Sequence, residues 1–226
     1  MLLANHYNKL YNNSINTIQS KGCETDHLIN GANDKRFGIT LVIRPPLQVK
    51  IKIQEFLSEL NKIDSSQYYY PNSDIHITVM SIISCYNNFA LEKIDVSKYI
   101  NIIEESIQNI EKFNILFKGI TASPSCIMVQ GFLKENMLEN LRNNLRTNFH
   151  NSYLEQTIDK RYAIQTAHST IIRFQNQLTS KNEYLNLIEK YRDFDFGEFK
   201  VDEIELVFND WYQRKKSVQK LHLFKI

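Results

Sequence analysis

Two short motifs in this 226-residue chain carry residue types suited to acid–base chemistry at phosphorus: His76-Ile77-Thr78 and His168-Ser169-Thr170. Each reads His-x-Thr followed by an aliphatic residue. In extended backbone, residues i and i+2 point to the same side, so each imidazole would project beside its hydroxyl. Two imidazoles facing across a cleft can divide the roles of general base and general acid near neutral pH. The adjacent hydroxyls can donate to non-bridging phosphate oxygens as charge builds there. Displacement at phosphorus needs this pairing, a base for the nucleophile's proton and an acid for the leaving oxygen. The competing reading is structural: two half-buried histidines hydrogen-bonded to their neighbours. A third match, His150-Asn151-Ser152, falls where a helical pattern ends and reads as accidental. No cluster of Asp, Glu or Cys adjoins either histidine, so neither a metal nor another cofactor is expected.

The elements that must hold these motifs follow from the apolar periodicity. FGITLVI (37–43) is a β-branched run stopped by Pro45-Pro46, which predicts a strand. Val49, Ile53, Phe56, Leu57 and Leu60 fall at helical spacing, and DIHITVMSII (74–83) reads as the strand bearing the first motif. Val96, Tyr99, Ile100, Ile103, Ile107 and Ile110 predict a helix, and FNILFKGITA (113–122) a strand. The order then repeats: CIMVQGF (126–132), a helix marked by Leu138, Leu141, Leu145 and Phe149, and AHSTIIRF (167–174) with the second motif. Tyr184, Leu185, Ile188 and Tyr191 mark a further helix. FKVDEIELVFNDWY (199–212) and VQKLHLFKI (218–226) are expected as strands flanking the basic turn Arg214-Lys215-Lys216. Phe37 precedes His76 by 39 residues and Cys126 precedes His168 by 42. That near-equal offset predicts an α+β fold of two similar lobes, about 36–118 and 119–226, each contributing one histidine from an equivalent strand. Residues 1–35 form a separate N-terminal part, with an amphipathic helix over 1–20 and a polar linker from Ser20 to Lys35.

Composition bounds the partners. Lys and Arg total 27 against 25 Asp and Glu, so the net charge of +2 gives no basis for wrapping DNA or an acidic membrane. Cys23, Cys85 and Cys126 are odd in number and widely spaced, which fits free buried thiols in a reducing compartment. No apolar run approaches the roughly 18 residues needed to span a membrane. The start lacks the apolar core of a signal peptide. A soluble, cytoplasmic monomer is expected.

The paired motifs HITV (76–79) and HSTI (168–171), their 92-residue separation and the opening FGITLVIRPP resemble the 2H phosphoesterases. That superfamily includes bacterial 2′-5′ RNA ligase-like proteins and cyclic phosphodiesterases. The resemblance covers residues 36–226. It implies a bilobal duplicated fold with pseudo-two-fold symmetry, in which two antiparallel-rich sheets flanked by helices enclose a central cleft holding both motifs. It also implies metal-independent chemistry on 2′,3′-cyclic, 2′-5′-linked or cyclic nucleotide phosphodiesters. The substrate would be an RNA end or a small cyclic or 2′-5′-linked nucleotide. His76 and His168 would be catalytic and Thr78 and Thr170 phosphate-binding, with His168 preferred as base and His76 as acid in hydrolysis. Two alternatives stay open: a 2′-5′ RNA ligase, and a non-catalytic module that binds RNA or nucleotide.

Four further residues are expected to contact substrate. Tyr70, from the run Tyr68-Tyr69-Tyr70, could stack on a nucleobase. Tyr212 could reach phosphate through its hydroxyl while its ring packs beside Trp211. Phe37 could line the cleft, and Arg44 could reach phosphate from a sheet edge. Arg173 lies five residues beyond His168, so strict alternation points it away from the cleft unless a bulge intervenes.

Overall fold

The structure, a computed structural model, describes residues 3–29, 31 and 34–226. The remaining positions of the expected N-terminal helix and linker lie outside the described residues. Among the described residues nine strands form two sheets. The first has the order β3 (Ile77–Asn87), β1 (Arg36–Ile43), β8 (Glu203–Asp210) and β9 (Gln219–Lys225). The second runs β2 (Tyr68–Tyr69), β6 (Ser169–Arg173), β5 (Cys126–Phe132), β4 (Phe113–Ser123) and β7 (Asp195–Val201). All pairings are antiparallel. Five α-helices among the described residues flank them: α1 (Leu3–Lys21), α2 (Leu47–Ile63), α3 (Val96–Ile107), α4 (Met137–His150) and α5 (Lys181–Lys190). Among the described residues no helix is long and apolar enough to cross a membrane. Cys23, Cys85 and Cys126 are free and buried.

The helices follow their apolar stripes. Pro46, extended at φ −70° and ψ 165°, introduces α2, whose Val49, Ile53, Phe56, Leu57 and Leu60 are buried. Asp95 caps α3 by accepting from the Ser97 N–H. The stripe of α4 contains a cation: Arg142 is buried with Leu138, Leu141, Leu145 and Phe149.

The two sheets do not divide at residues 118/119 as the repeat suggested. The first sheet takes β1 and β3 from the N-terminal half and β8 and β9 from the C-terminus, while β4 and the short β2 join the second. The stretch 199–212 is likewise two strands. β7 ends at Val201 and β8 begins at Glu203, so the chain passes from one sheet to the other at Asp202. Packing of the helices crosses over too. α2, which follows β1, lies with α5 against the second sheet at β7, whereas α4, which follows β5, lies with α3 against the first at β3. Each lobe is thus closed by a helix from the other's connection, and the halves cannot separate without exposing both cores.

The N-terminal part is built into this body. α1 packs on β4 and buries Tyr7, Tyr11 and Ile18. The segment after it straps both sheets together: the Asp26 N–H donates to the Phe174 carbonyl at 2.8 Å, and the Tyr212 hydroxyl donates to the Asp26 carboxylate, also at 2.8 Å. Arg214 Nη1 donates to the Ile29 carbonyl at 2.6 Å.

Arg142 joins the two motif strands directly. Its guanidinium donates to the carbonyls of Val79 (3.0 Å), Thr78 (3.0 Å) and Thr166 (2.9 Å), and the residue is 1% exposed. Removing it would leave three carbonyls short of a donor in a site water does not reach, each costing roughly 1–3 kcal/mol. Arg142→Met is expected to lower unfolding free energy by about 3 kcal/mol or more, read as a shift in urea midpoint. Arg142→Lys recovers part of the loss, since an ammonium cannot span three carbonyls in that plane.

Candidate active site

Both histidines sit one residue ahead of their strands rather than within them: β3 begins at Ile77 and β6 at Ser169. His76 Nδ1 lies 2.7 Å from the Asp74 carbonyl oxygen. A carbonyl can only accept, so that nitrogen carries the proton and Nε2 is left bare in the neutral ring. His168 Nδ1 lies 2.6 Å from Thr166 Oγ1. The imidazoles and the hydroxyl-bearing Thr78 and Thr170 are half-buried, while Ile75, Ile77, Val79, Ser169 and Ile171 are buried behind them. His76, Thr78, His168 and Thr170 all line one cleft of about 180 Å³ between the sheets.

Bulges shape this cleft. On β3 the pairing with β1 skips Val79 and again Ile82, so Thr78, Ser81 and Ser84 fall on the cleft side three residues apart. On β6 the pairing with β5 passes from Ile172 to Thr170, skipping Ile171. Each lobe therefore bulges at the residue directly after its motif threonine. Ser81 in one copy occupies the position of Arg173 in the other. The β6 bulge overturns the alternation argument for Arg173, which lines the cleft and donates from Nε to the Tyr70 hydroxyl at 3.1 Å. This feature was legible: Thr-Val-Met-Ser and Thr-Ile-Ile-Arg each place two apolar residues in succession, which strict alternation does not allow.

Four residues were expected to contact substrate, and they separate into two groups. Tyr70 and Tyr212 line the cleft. Tyr70 is 2% exposed, its hydroxyl engaged by Arg173. The Tyr212 hydroxyl is turned away to Asp26 and also accepts from Arg36 Nη2 at 3.2 Å, so its ring rather than its oxygen meets the cleft. Phe37 and Arg44 are not among the lining residues. Phe37 stacks on Phe208 with ring centroids 5.0 Å apart, and Arg44 is ion-paired to Glu205 at 3.2 Å. The remaining wall comes from the long 151–168 connection, whose irregular patterning carries no expectation of a site. Asp159, Arg161, Tyr162 and Ile164 lie along it, with the Arg161 guanidinium 4.4 Å from the Trp211 ring centroid.

The cleft holds both imidazoles neutral. Burial is the main cause in each. His76 is depressed to about 3, with Arg44, His168 and Arg173 adding repulsion against a weaker opposing pull from the Asp74 carbonyl. His168 is depressed to about 4, with Arg142 and His6 reinforcing burial. Arg173 and Arg161 line the cleft together with Asp159, and the charge of an anion bound there would favour protonating one ring. Among the described residues no group of three or more His, Cys, Asp or Glu side chains is placed to hold a metal ion.

A family model described as the AKAP7 2′5′ RNA ligase-like domain matches residues 38–218. No curated protein matches the chain. Solved structures show the same fold at low identity. TT0787 of Thermus thermophilus aligns with TM-score 0.57 and 14% identity over 84% of this chain and 97% of its own. E. coli LigT, in its complex with 3′-AMP, aligns with TM-score 0.56 and 13% identity over 84% and 98%. The Agrobacterium tumefaciens protein ATU0111 gives TM-score 0.54 and 13% identity over 94% and 97%.

Because the folded state holds both histidines below the ordinary value near 6.5, the unfolded chain binds more protons between that pH and about 4. Stability is therefore expected to fall as pH drops from 6.5 towards 4. Replacing both residues with Gln should flatten the profile in that window, read as urea midpoints across a pH series.

Proposed function

The chain belongs to the AKAP7 2′5′ RNA ligase-like family within the 2H phosphoesterases, and from that premise we propose that it hydrolyses a nucleotide phosphodiester by two-histidine acid–base catalysis. The substrate is a 2′,3′-cyclic, 2′-5′-linked or cyclic oligonucleotide linkage, and the reaction needs no metal. One observation carries the reading: His76, Thr78, His168 and Thr170 converge on a single cleft from equivalent bulged strands.

In this reading the phosphodiester lies between the rings, its non-bridging oxygens accepting from the Thr78 and Thr170 hydroxyls. A water oxygen attacks phosphorus while its proton passes to His168 Nε2. The phosphorus–oxygen ester bond breaks on the opposite side, and the departing alkoxide takes the proton from Nε2 of a His76 ring that the bound phosphodiester anion has brought to its protonated form. One bond to water oxygen forms, one ester bond breaks, and a proton crosses from the His168 side to the His76 side, so the rings exchange roles in the reverse reaction. His76 is assigned the acid because the Asp74 carbonyl fixes its Nδ1–H, leaving Nε2 to carry the transferable proton, and offsets part of the depression that burial and Arg44 impose, while the anionic substrate supplies the remaining stabilisation of the imidazolium. The guanidinium of Arg173, beyond Thr170 on the same cleft wall, supports substrate charge.

Turnover of a panel of 2′,3′-cyclic nucleotides, 2′-5′ oligoadenylates and cyclic di- and trinucleotides in EDTA tests the reading. Cleavage is expected for one class, lost in His76→Ala and in His168→Ala, and lowered about 10²-fold in Thr78→Val or Thr170→Val. Activity surviving either histidine replacement overturns it. Binding without cleavage would instead favour the non-catalytic module, and strand joining the ligase. The acid and base assignments separate with a substrate whose bridging leaving oxygen is replaced by sulfur. A thiolate leaves without a proton, so this substrate is expected to restore turnover in His76→Ala and not in His168→Ala.

A further inference from the structure

The loop between β2 and β3 leads into His76, and a buried carboxylate outside the catalytic scheme holds it. Asp74 is 3% exposed, with every polar group engaged. Its carbonyl accepts from His76 Nδ1–H at 2.7 Å, and its N–H donates to the Pro71 carbonyl at 2.9 Å within the loop. Carboxylate Oδ1 accepts from the Lys215 N–H at 3.0 Å and from the Ser73 hydroxyl at 2.7 Å. Oδ2 accepts from the Tyr68 hydroxyl at 3.4 Å. Tyr68 belongs to β2 in the second sheet, whereas Lys215 opens a 3₁₀ turn, Lys215–Ser217, between β8 and β9 of the first. One side chain therefore ties the loop to both sheets. The turn it grips is itself fixed: Asp210, the last residue of β8, accepts from the Arg214 N–H at 3.0 Å and from Arg214 Nε at 2.5 Å. The basic run Arg214-Lys215-Lys216 enters this support through a backbone N–H, not through the charge of Lys215.

His76 lies one residue ahead of β3, beyond the last pair that β3 makes with β1, Ile43 with Ile77. Strand pairing does not reach it, and its ring is held through the Asp74 carbonyl. We propose that the Asp74 side chain is a positioning group for His76. By gripping the Lys215 N–H and Tyr68, the carboxylate holds the peptide after residue 74 where its carbonyl keeps the imidazole protonated on Nδ1 and aims Nε2 at the leaving oxygen. The inference rests on the reading of His76 as the general acid, which needs that aim. A hydrogen bond weakens steeply once its angle departs from linearity, so a modest rotation of this peptide releases the ring. The loop's other tie, from Arg44 Nη1 to the Ser73 carbonyl at 3.4 Å, acts one residue earlier than the peptide that meets His76. Asn at position 74 keeps Oδ1 for the Lys215 N–H and the Ser73 hydroxyl, and its amide can donate to Tyr68, whose hydroxyl accepts as well as donates. Ala removes all three contacts.

Long-range ¹H–¹⁵N spectra of the imidazoles, recorded on the full chain at neutral pH without substrate, report the tautomer directly. Wild type and Asp74→Asn are expected to show His76 protonated on Nδ1, and Asp74→Ala to shift it towards Nε2. In turnover, Asp74→Ala should lower kcat about tenfold or more with KM unchanged, and Asp74→Asn should recover most of the loss. With the sulfur leaving group, which needs no acid, the defect of Asp74→Ala is expected to vanish. An unchanged tautomer in Asp74→Ala, or an equal loss on the oxygen and sulfur substrates, overturns the proposal. Lys215→Pro deletes only the N–H that Oδ1 accepts, at a first helical position preceded by an extended Arg214 (φ −66°, ψ 129°) that suits the residue before a proline. Should Asp74→Ala fail to fold, the same spectra and substrates comparing Lys215→Pro with Lys215→Ala, which keeps the N–H, decide it in the same way. Because the spectra need no substrate, the expected tautomer shift without turnover on any phosphodiester would count against the catalytic reading alone.

Discussion

A single buried cation ties the two halves of the cleft together. Arg142 sits in the apolar stripe of α4 and gives its donors to the carbonyls of Thr78 and Val79 on one motif strand and of Thr166 before the other. Its partners are carbonyls rather than carboxylates, and desolvation lowers its pKa to about 10, which leaves it charged at neutral pH. The arrangement couples position to electrostatics. The contacts that set the spacing of the histidine strands also place a positive charge beside His168, which helps keep that ring neutral. A charge buried among carbonyls is costly to desolvate. What it secures is a fixed relation between two strands that belong to different sheets.

The exchange of elements between lobes serves the same end. Strands from both ends of the sequence build the first sheet, and each lobe is covered by a helix from the other's connection. A hinge between independent domains would leave the separation of the imidazoles variable, whereas the proposed proton transfers at phosphorus need them held within hydrogen-bond reach of one group. The strap through Asp26 and Ile29, and the docking of α1 on β4, extend that fixation beyond the family-matched residues. The bulges then determine what the cleft displays. By skipping one residue after each motif threonine, they bring Ser81 and Arg173 to the same side as Thr78 and Thr170.

Neighbour-to-neighbour chemistry along the chain was enough to mark most of the helices and strands and the two His-x-Thr motifs, because apolar periodicity is a local property; it missed the short β2 and joined β7 to β8. Tyr70 and Tyr212 were legible as cleft candidates on the same grounds, as aromatics beside a motif strand or a strand end. Arg142 left a trace too, as a cation four residues from Leu138 on an otherwise apolar face, but nothing local says which carbonyls it serves. Long-range packing settled the rest. Which sheet receives β4, β8 and β9 depends on pairings between distant residues, such as Phe37 with Asp210, and the separation of β7 from β8 at Asp202 follows from that choice. Arg173 turns inward through a register shift against β5, and Arg44 is drawn to Glu205 on a strand that periodicity could not place beside it. Phe37 packs on Phe208 for the same reason. Tyr7 on α1 reaches Gly131 on β5, and at Gly131 the missing Cβ lets the chain entering β6 lie close, contacts that no local pattern encodes.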